Sequence, residues 1–278
     1  MKRIVYHPIV TYPDPAAEAG VARAVEMASA LGADLEAAAL VVEIGRVNAP
    51  IGGLLVDMPE MIRASEAQSR GHGDRLAAEV RRLAGEAGVA ADVAEERYAQ
   101  GLLGEVAAAR ARLCDASLLT WAPENAAMRS LAEGVIFGAG RPAILLPEGA
   151  PAAAVDHVAI AWDGSRVAAR ALGDALGLIG AGARYTVLTV VDEKPLPKES
   201  DGAPVADALA RRGLSAEAAT VRSDGRPIAA ALQAEALERG ASLLAMGGYG
   251  HSRLRDFVLG GATLGVLADL RAPTLLSH

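Results

Sequence analysis

LLAMGGYGHSRLRDFVLGGAT, residues Leu243 to Thr263, is an apolar run that breaks into Gly247-Gly248-Tyr249-Gly250, continues for nine residues, and resumes at Gly260-Gly261 before a new apolar stretch. The run reads as a strand and the later stretch as a helix. Glycines at a strand end and a helix start allow backbone N–H groups to wrap an anion, aided by the helix dipole. Working outward, Val158 to Trp162 reads as a strand and Ser165 to Ile179 as a helix, with Leu172, Leu176 and Ile179 on one face and Gly180 and Gly182 at its end. Tyr185–Val191 and Ala216–Val221 are β-rich, and Val205–Arg212 is a short helix. Pro227 is read as the first position of a helix over Ile228–Arg239. Leu264–Leu270 reads as helix, and Pro273–Leu276 as an edge strand that closes the unit. Such alternation predicts a parallel sheet covered by helices on both faces.

The unit occurs twice. Ala116-Ser117-Leu118-Leu119 recurs as Ala241-Ser242-Leu243-Leu244, Arg141-Pro142-Ala143-Ile144-Leu145-Leu146 is echoed by Arg271-Ala272-Pro273-Thr274-Leu275-Leu276, and Leu40-Val41-Val42 by Leu188-Thr189-Val190-Val191. The first copy carries an insertion over residues 43–73, read as a loop plus a lengthened helix that either roofs a cleft or covers exposed surface. The stretch Pro147 to Ala154 reads as a linker, giving domains at 1–149 and 155–278. The expected fold is α/β: two tandem open parallel-sheet domains of Rossmann-like type, five strands each.

Composition narrows the function classes. Hydrophobic residues form 52% of the chain and aromatics 3%, so the cores must be aliphatic, as helix-on-sheet layers allow. A net charge of −7 argues against non-specific nucleic-acid binding. The one cysteine, Cys114, rules out an internal disulfide framework and a cysteine metal cluster. With no apolar run of membrane-spanning length and no signal-peptide pattern at the start, the chain is expected to be cytoplasmic, with no membrane partner.

Three loops of the second copy lie where open parallel sheets bind ligands, beyond the strand carboxyl ends. In Trp162-Asp163-Gly164-Ser165, Asp163 can accept hydrogen bonds from a base or ribose, or Asp163 or Ser165 can simply cap a helix. Val190, before Val191 and Asp192, either presses on a flat base or ends a buried strand. The glycine loop is the third, with Arg253 and Arg255 facing phosphate, solvent or another subunit. No P-loop, Gly-x-Ser-x-Gly, HExxH or CxxC motif occurs. Gly138-Ala139-Gly140 imitates a dinucleotide fingerprint but leads into a strand containing Pro142, so it places no helix N-terminus on a phosphate.

These residues resemble the universal stress protein family in its tandem form. Its ATP-binding members carry G-2x-G-9x-G-[S/T], and Gly247, Gly250 and Gly260 match the glycines in register. Asp163 in AIAWDGS is similar to the family's ligand aspartate, Val190 to the valine that packs on adenine, and Met246 to the residue before the first glycine. The resemblance covers residues 156–278, with residues 1–149 as a weakened copy. It implies a fold like that of the adenine nucleotide alpha hydrolases and a non-catalytic site for ATP or another adenine nucleotide, with magnesium as an optional companion. That site consists of Asp163, Val190, Met246, Gly247, Gly250, Gly260 and Gly261. Enzymatic activity is expected to be absent or limited to slow ATP hydrolysis. Gly261 stands where the motif has Ser or Thr, removing a hydroxyl that would meet a terminal phosphate; Thr263, two residues on, is no simple replacement. Trp162 at the pocket wall would either stack on a base or obstruct it. In the first copy Tyr6-His7-Pro8-Ile9 is read in place of the Asp163 turn, and Thr120–Asn125 in place of the glycine loop. The resemblance implies pairing of the two final strands, Ala143–Leu146 with Pro273–Leu276, inside one chain, and leaves a homodimer open. The alternative function is a stress-response interaction module that binds no nucleotide and acts through protein partners.

Overall fold

The computed structural model describes residues 2–45, 58–147, 154–192, 198–248 and 261–278. The first half runs β1 (Arg3–Val10), α1 (Glu18–Ala30), β2 (Ala33–Glu43), α2 (Met58–Ala87), β3 (Ala91–Ala99), α3 (Leu103–Ala111), β4 (Ala116–Trp121), α4 (Ala126–Gly138) and β5 (Ala143–Pro147). The second repeats it as β6 (His157–Ala161), α5 (Arg166–Ile179), β7 (Arg184–Val190), α6 (Ala203–Arg211), β8 (Ser215–Val221), α7 (Ile228–Glu238), β9 (Leu243–Gly247), α8 (Gly261–Ala268) and β10 (Thr274–Ser277). Residues 148–153, where the linker was read, lie outside the described residues. Pro227 turns out to be the N-cap of α7 rather than its first residue. The insertion contributes the first turns of α2, which spans 30 residues against 9 in α6.

All ten strands form one sheet in the order β3-β2-β1-β4-β5-β10-β9-β6-β7-β8. Within each half every pairing is parallel. The halves meet through β5 and β10, which are antiparallel with Leu145 opposite Thr274, Ile144 opposite Leu275 and Ala143 opposite Leu276. β10 is therefore the edge strand of its own half, as its sequence suggested, and an interior strand of the whole sheet through its pairing with β5. Ile144, Leu145 and Leu275 are fully buried there, each removing on the order of 2 kcal/mol of apolar exposure from water. Three further contacts cross the seam. Trp121 Nε1 donates to the Leu267 carbonyl at 2.8 Å, Arg170 to the Gly140 carbonyl at 3.2 Å, and the Phe137 ring meets the His278 ring edge-on at 5.0 Å.

Small residues set how closely the layers approach. Ala107 and Ala111 of α3 and Ala171 and Ala175 of α5 are fully buried at i,i+4 spacing. α3 and α4 cross at Gly104 and Gly134, where a Cβ on Gly134 would lie 2.4 Å from the Gly104 Cα. The corresponding crossing of α7 and α8 uses Gly265 against Ala229. We predict that Gly134→Ala lowers the free energy of unfolding in urea by roughly 1–3 kcal/mol through overpacking. Gly85→Ala, on α2 with nothing within 4 Å of the added carbon, should be neutral or stabilising by about 1 kcal/mol. Equal effects at both sites would refute the packing argument.

His7, in the middle of β1, is fully buried. Its Nδ1–H donates to the Leu118 carbonyl at 2.8 Å, which fixes the neutral tautomer and leaves Nε2 without a partner among the described residues. Burial pushes its pKa down to about 4, with the Leu118 hydrogen bond opposing. Because the unfolded chain binds this proton more readily, the stabilisation is complete above the ordinary histidine pKa and is lost as pH falls toward 4. Between those limits denaturation should show a loss of roughly 3 kcal/mol that is missing in His7→Leu. Parallel pH profiles for the two proteins would overturn this assignment.

Candidate functional site

β6 lies between β9 and β7, and the connections leaving β6 and β9 run in opposite directions along the sheet. The crevice beyond their carboxyl ends is the switch point of this half. On the β6 side, the Asp163 Oδ1 accepts the Ser165 N–H at 2.9 Å, and the Ser165 Oγ accepts the Ala168 N–H at 3.2 Å. Ser165 is thus the N-cap of α5, while Asp163 closes a tight turn in front of it. Asp163 is exposed, and only one of its carboxylate oxygens is engaged among the described residues.

Gly164 joins the two at φ +77°, and a Cβ there would sit 2.7 Å from the Glu199 carbonyl oxygen. The turn is therefore pressed against the segment Lys198–Ser200. Ser200 Oγ donates to the Asp163 carbonyl at 2.8 Å, and Trp162 Nε1 to the Glu199 carbonyl at 3.0 Å. With Leu172 of α5 and Val205 and Leu209 of α6, Trp162 lines a groove of about 320 Å³ between those helices. Trp162 thus serves as a brace for the Lys198–Ser200 segment.

Val190 is the last residue of β7, half-buried and opposite Val221. Two residues on, the Asp192 carboxylate accepts the Ser223 N–H at 2.8 Å and the Asp224 N–H at 3.0 Å. Those backbone donors hold its pKa down at about 2. Asp224 itself has φ +48°. The β7 end is thereby fixed to the β8–α7 turn. Sequence reading assigned no role to Asp192, since a clamp onto a turn 31 residues away has no local signature.

On the β9 side Met246 is buried and pairs with Leu276. A Cβ on Gly247 would stand 2.6 Å from Val167 Cγ2, 2.7 Å from the Val167 carbonyl carbon and 2.8 Å from Ala168 N. The strand end thus touches the first turn of α5. Gly248 continues it, donating its N–H to the Ser277 carbonyl at 2.8 Å. Gly261 is exposed as the first residue of α8, with nothing within 4 Å of an added carbon. Thr263 is buried in the same turn. The structure thus places Asp163, Val190, Met246 and Gly247 at one carboxyl edge of the sheet, and Gly261 at the start of α8. Gly250 and Gly260 lie outside the described residues, as do Arg253 and Arg255. Among the described residues no group of three metal-binding side chains occurs.

The first half shows what a closed version looks like. Sheet register equates Val5 with Val158 and Ala116 with Leu243, which makes Thr120 the counterpart of Gly247. The close approach survives with the glycine moved to the helix: a Cβ on Gly20 of α1 would lie 2.7 Å from Thr120 Cγ2. Tyr6-His7-Pro8-Ile9, read in place of the Asp163 turn, is the middle of β1, which runs on to Val10. Just beyond, Thr11 Oγ1 donates to the Leu40 carbonyl at 2.6 Å and meets Ser69 Oγ of α2 at 2.7 Å, and Ser69 Oγ accepts the Val42 N–H at 3.1 Å. Gly73 brings α2 within contact of Ala39 and Val41. The lengthened helix therefore packs over the ends of β1 and β2.

Residues 154–278 match the universal stress protein family. A universal stress protein from Archaeoglobus fulgidus DSM 4304 superposes with a TM-score of 0.71 at 18% identity, covering 99% of this chain and 97% of the other. A putative universal stress protein from Pseudomonas aeruginosa UCBPP-PA14 gives a TM-score of 0.53 at 16% identity, over 99% and 93%. These full-length likenesses establish the shared α/β architecture. No curated protein matches the sequence.

The strand–helix contact has a direct test. Gly247→Ala should cost about 1–3 kcal/mol in denaturant unfolding, because the added carbon meets the α5 backbone rather than a mobile side-chain end. Gly261→Ala should leave stability unchanged or slightly raised. Wild-type stability in Gly247→Ala would contradict the contact.

Proposed function

We propose that this chain, whose residues 154–278 are a universal stress protein domain, is a non-catalytic stress-response protein that binds one adenine nucleotide in its C-terminal half. The observation that carries this reading is the pairing of Asp163, held in a turn with one carboxylate oxygen unengaged among the described residues, with the side-chain-free end of β9 across the switch-point crevice. In this reading Asp163 accepts from the base or ribose, Val190 and Met246 bound the base, and Gly247, Gly250, Gly260 and Gly261 give the phosphates backbone access. Magnesium would arrive with the phosphates. The carboxylate accepts and the N–H groups donate, so the site in this reading binds and orients a nucleotide.

Residues 1–149 are proposed as a degenerate copy whose cleft α2 fills. No helix among the described residues is long and apolar enough to cross a membrane; a cytoplasmic location is part of the proposal. A second reading, an interaction module without nucleotide, draws on Gly247 itself, since its contact with Val167 gives it a packing role independent of any ligand.

Isothermal titration with ATP, ADP and AMP separates the two. The nucleotide reading expects saturable binding, weakened at least tenfold by Asp163→Ala. Among the described residues the space around Gly261 accommodates a serine, so Gly261→Ser should tighten ATP binding by about tenfold to a hundredfold, the worth of one hydrogen bond to a charged group, and leave AMP unchanged. Absence of heat at millimolar ligand in both wild type and Gly261→Ser would reject nucleotide binding and favour the interaction module.

A further inference from the structure

The two halves end their second and third strands differently. In the first, β2 and β3 stay paired from Leu35 opposite Ala91 to Glu43 opposite Ala99. In the second, β7 and β8 are paired only as far as Val190 opposite Val221. Register against the first strand of each half equates Leu35 with Tyr185, and the next pairing equates Ala91 with Ala216. Val190 therefore stands at the position of Leu40, and Val221 at that of Glu96. Beyond that point the first half continues with Val41 opposite Arg97, Val42 opposite Tyr98 and Glu43 opposite Ala99. Among the described residues the second half has no such continuation.

What stops the ladder is Asp192, at the position of Val42. Val42 is buried within its strand, whereas Asp192 is exposed and turns its carboxylate onto the N–H groups of Ser223 and Asp224. Those two residues occupy the positions of Tyr98 and Ala99, the ones with which a longer strand would pair. An N–H already committed to a side chain is not offered to a neighbouring strand. The turn is shaped to present them: Asp224 has φ +48° and Gly225 φ +79°, outside the strand region. Arg226 braces it from within, Nε donating to the Ser223 carbonyl at 3.0 Å and Nη2 to the Arg222 carbonyl at 3.2 Å. Between Val190 and Asp192, the Val191 N–H donates to the Val221 carbonyl at 3.1 Å, so the intervening chain is held as well.

We infer that Asp192 is a positioning residue for the nucleotide site: it ends β7 at Val190 and fixes that valine as the wall on which the base rests. The inference rests on the nucleotide reading above and adds to it a residue that touches no ligand. Where the ladder runs on, in β2, Ser69 Oγ of α2 accepts the Val42 N–H and the helix lies over the strand end. Where Asp192 halts it, Val190 is the last strand residue at the carboxyl edge. Gly247 keeps the β9 side of the crevice free of a side chain, and Asp192 keeps the β7 side free of further strand. Since Val190 bounds the base and not the phosphates, the clamp governs adenosine, AMP and ATP alike.

Calorimetry with those three ligands on the full chain tests this. Asp192→Ala should weaken each by about tenfold, the worth of charge-assisted hydrogen bonds that hold the wall. Asp192→Asn, whose amide oxygen still accepts, should recover part of the loss. Gly134→Ala, destabilising but in the other half, should bind as wild type does, which separates positioning from loss of stability. In a Val190→Ala background the further effect of Asp192→Ala should shrink to about twofold or less, because it acts through that valine. Hydrogen exchange followed by NMR reads the clamp without ligand: the Ser223 and Asp224 amides should exchange about tenfold faster in Asp192→Ala. No binding of any of the three to wild type would end the nucleotide reading and this inference together. Wild-type affinity in Asp192→Ala, full additivity with Val190→Ala, or unchanged exchange at both amides would overturn this inference alone.

Discussion

The architecture depends on how closely the first turn of one helix approaches the end of a neighbouring strand. At the switch point of each half that gap is too narrow for side chains on both partners, so one must be glycine. In the second half the strand yields, at Gly247, and in the first the helix yields, at Gly20. The packing requirement is satisfied equally well, but the consequences for chemistry differ. A glycine on the strand leaves a bare backbone at the mouth of the crevice, whereas a glycine on the helix leaves Thr120 on the strand.

That choice is consistent with the rest of the divergence. Where the strand end is bare, the adjoining turn is short and rigid, braced by Gly164, Ser200 and Trp162, and presents Asp163 outward. Where it is not, β1 extends through Val10 and α2 lays Ser69 across the ends of β1 and β2. Three hydrogen bonds among Thr11, Leu40, Val42 and Ser69 satisfy the backbone there. The two halves thus spend the same topology on different ends, one on an open crevice and one on a sealed surface.

Much of this was legible in the chain. The second half declares itself because its central strands are short, continuously apolar and bounded by glycine, and because Ser165 caps α5 as its residue type suggests. Correspondence between the halves was harder to read. The Ala-Ser-Leu-Leu repeat equates Ala116 with Ala241, whereas the sheet equates Ala116 with Leu243. A slip of two residues keeps every side chain on its own face, so hydrophobic patterning has no means of detecting it. Tyr6-His7-Pro8-Ile9 lies inside β1 rather than at the position of the Asp163 turn, and with a proline and a histidine in it only the sheet shows that all four are strand residues. The clamp by Asp192 was invisible for another reason, being a relation between residues far apart in the chain.

The antiparallel β5–β10 pair carries a consequence of a different order. Two separate chains joined along such a seam would come apart on dilution, and their folding would depend on concentration. Here one chain supplies both strands, so the ten-stranded sheet assembles by a unimolecular step at any concentration. Carrying both halves in one chain also lifts the symmetry that a homodimer imposes, since a change in one half is not repeated in the other. Each half can therefore meet the same packing constraint in its own way, with glycine on the strand at Gly247 in one and on the helix at Gly20 in the other.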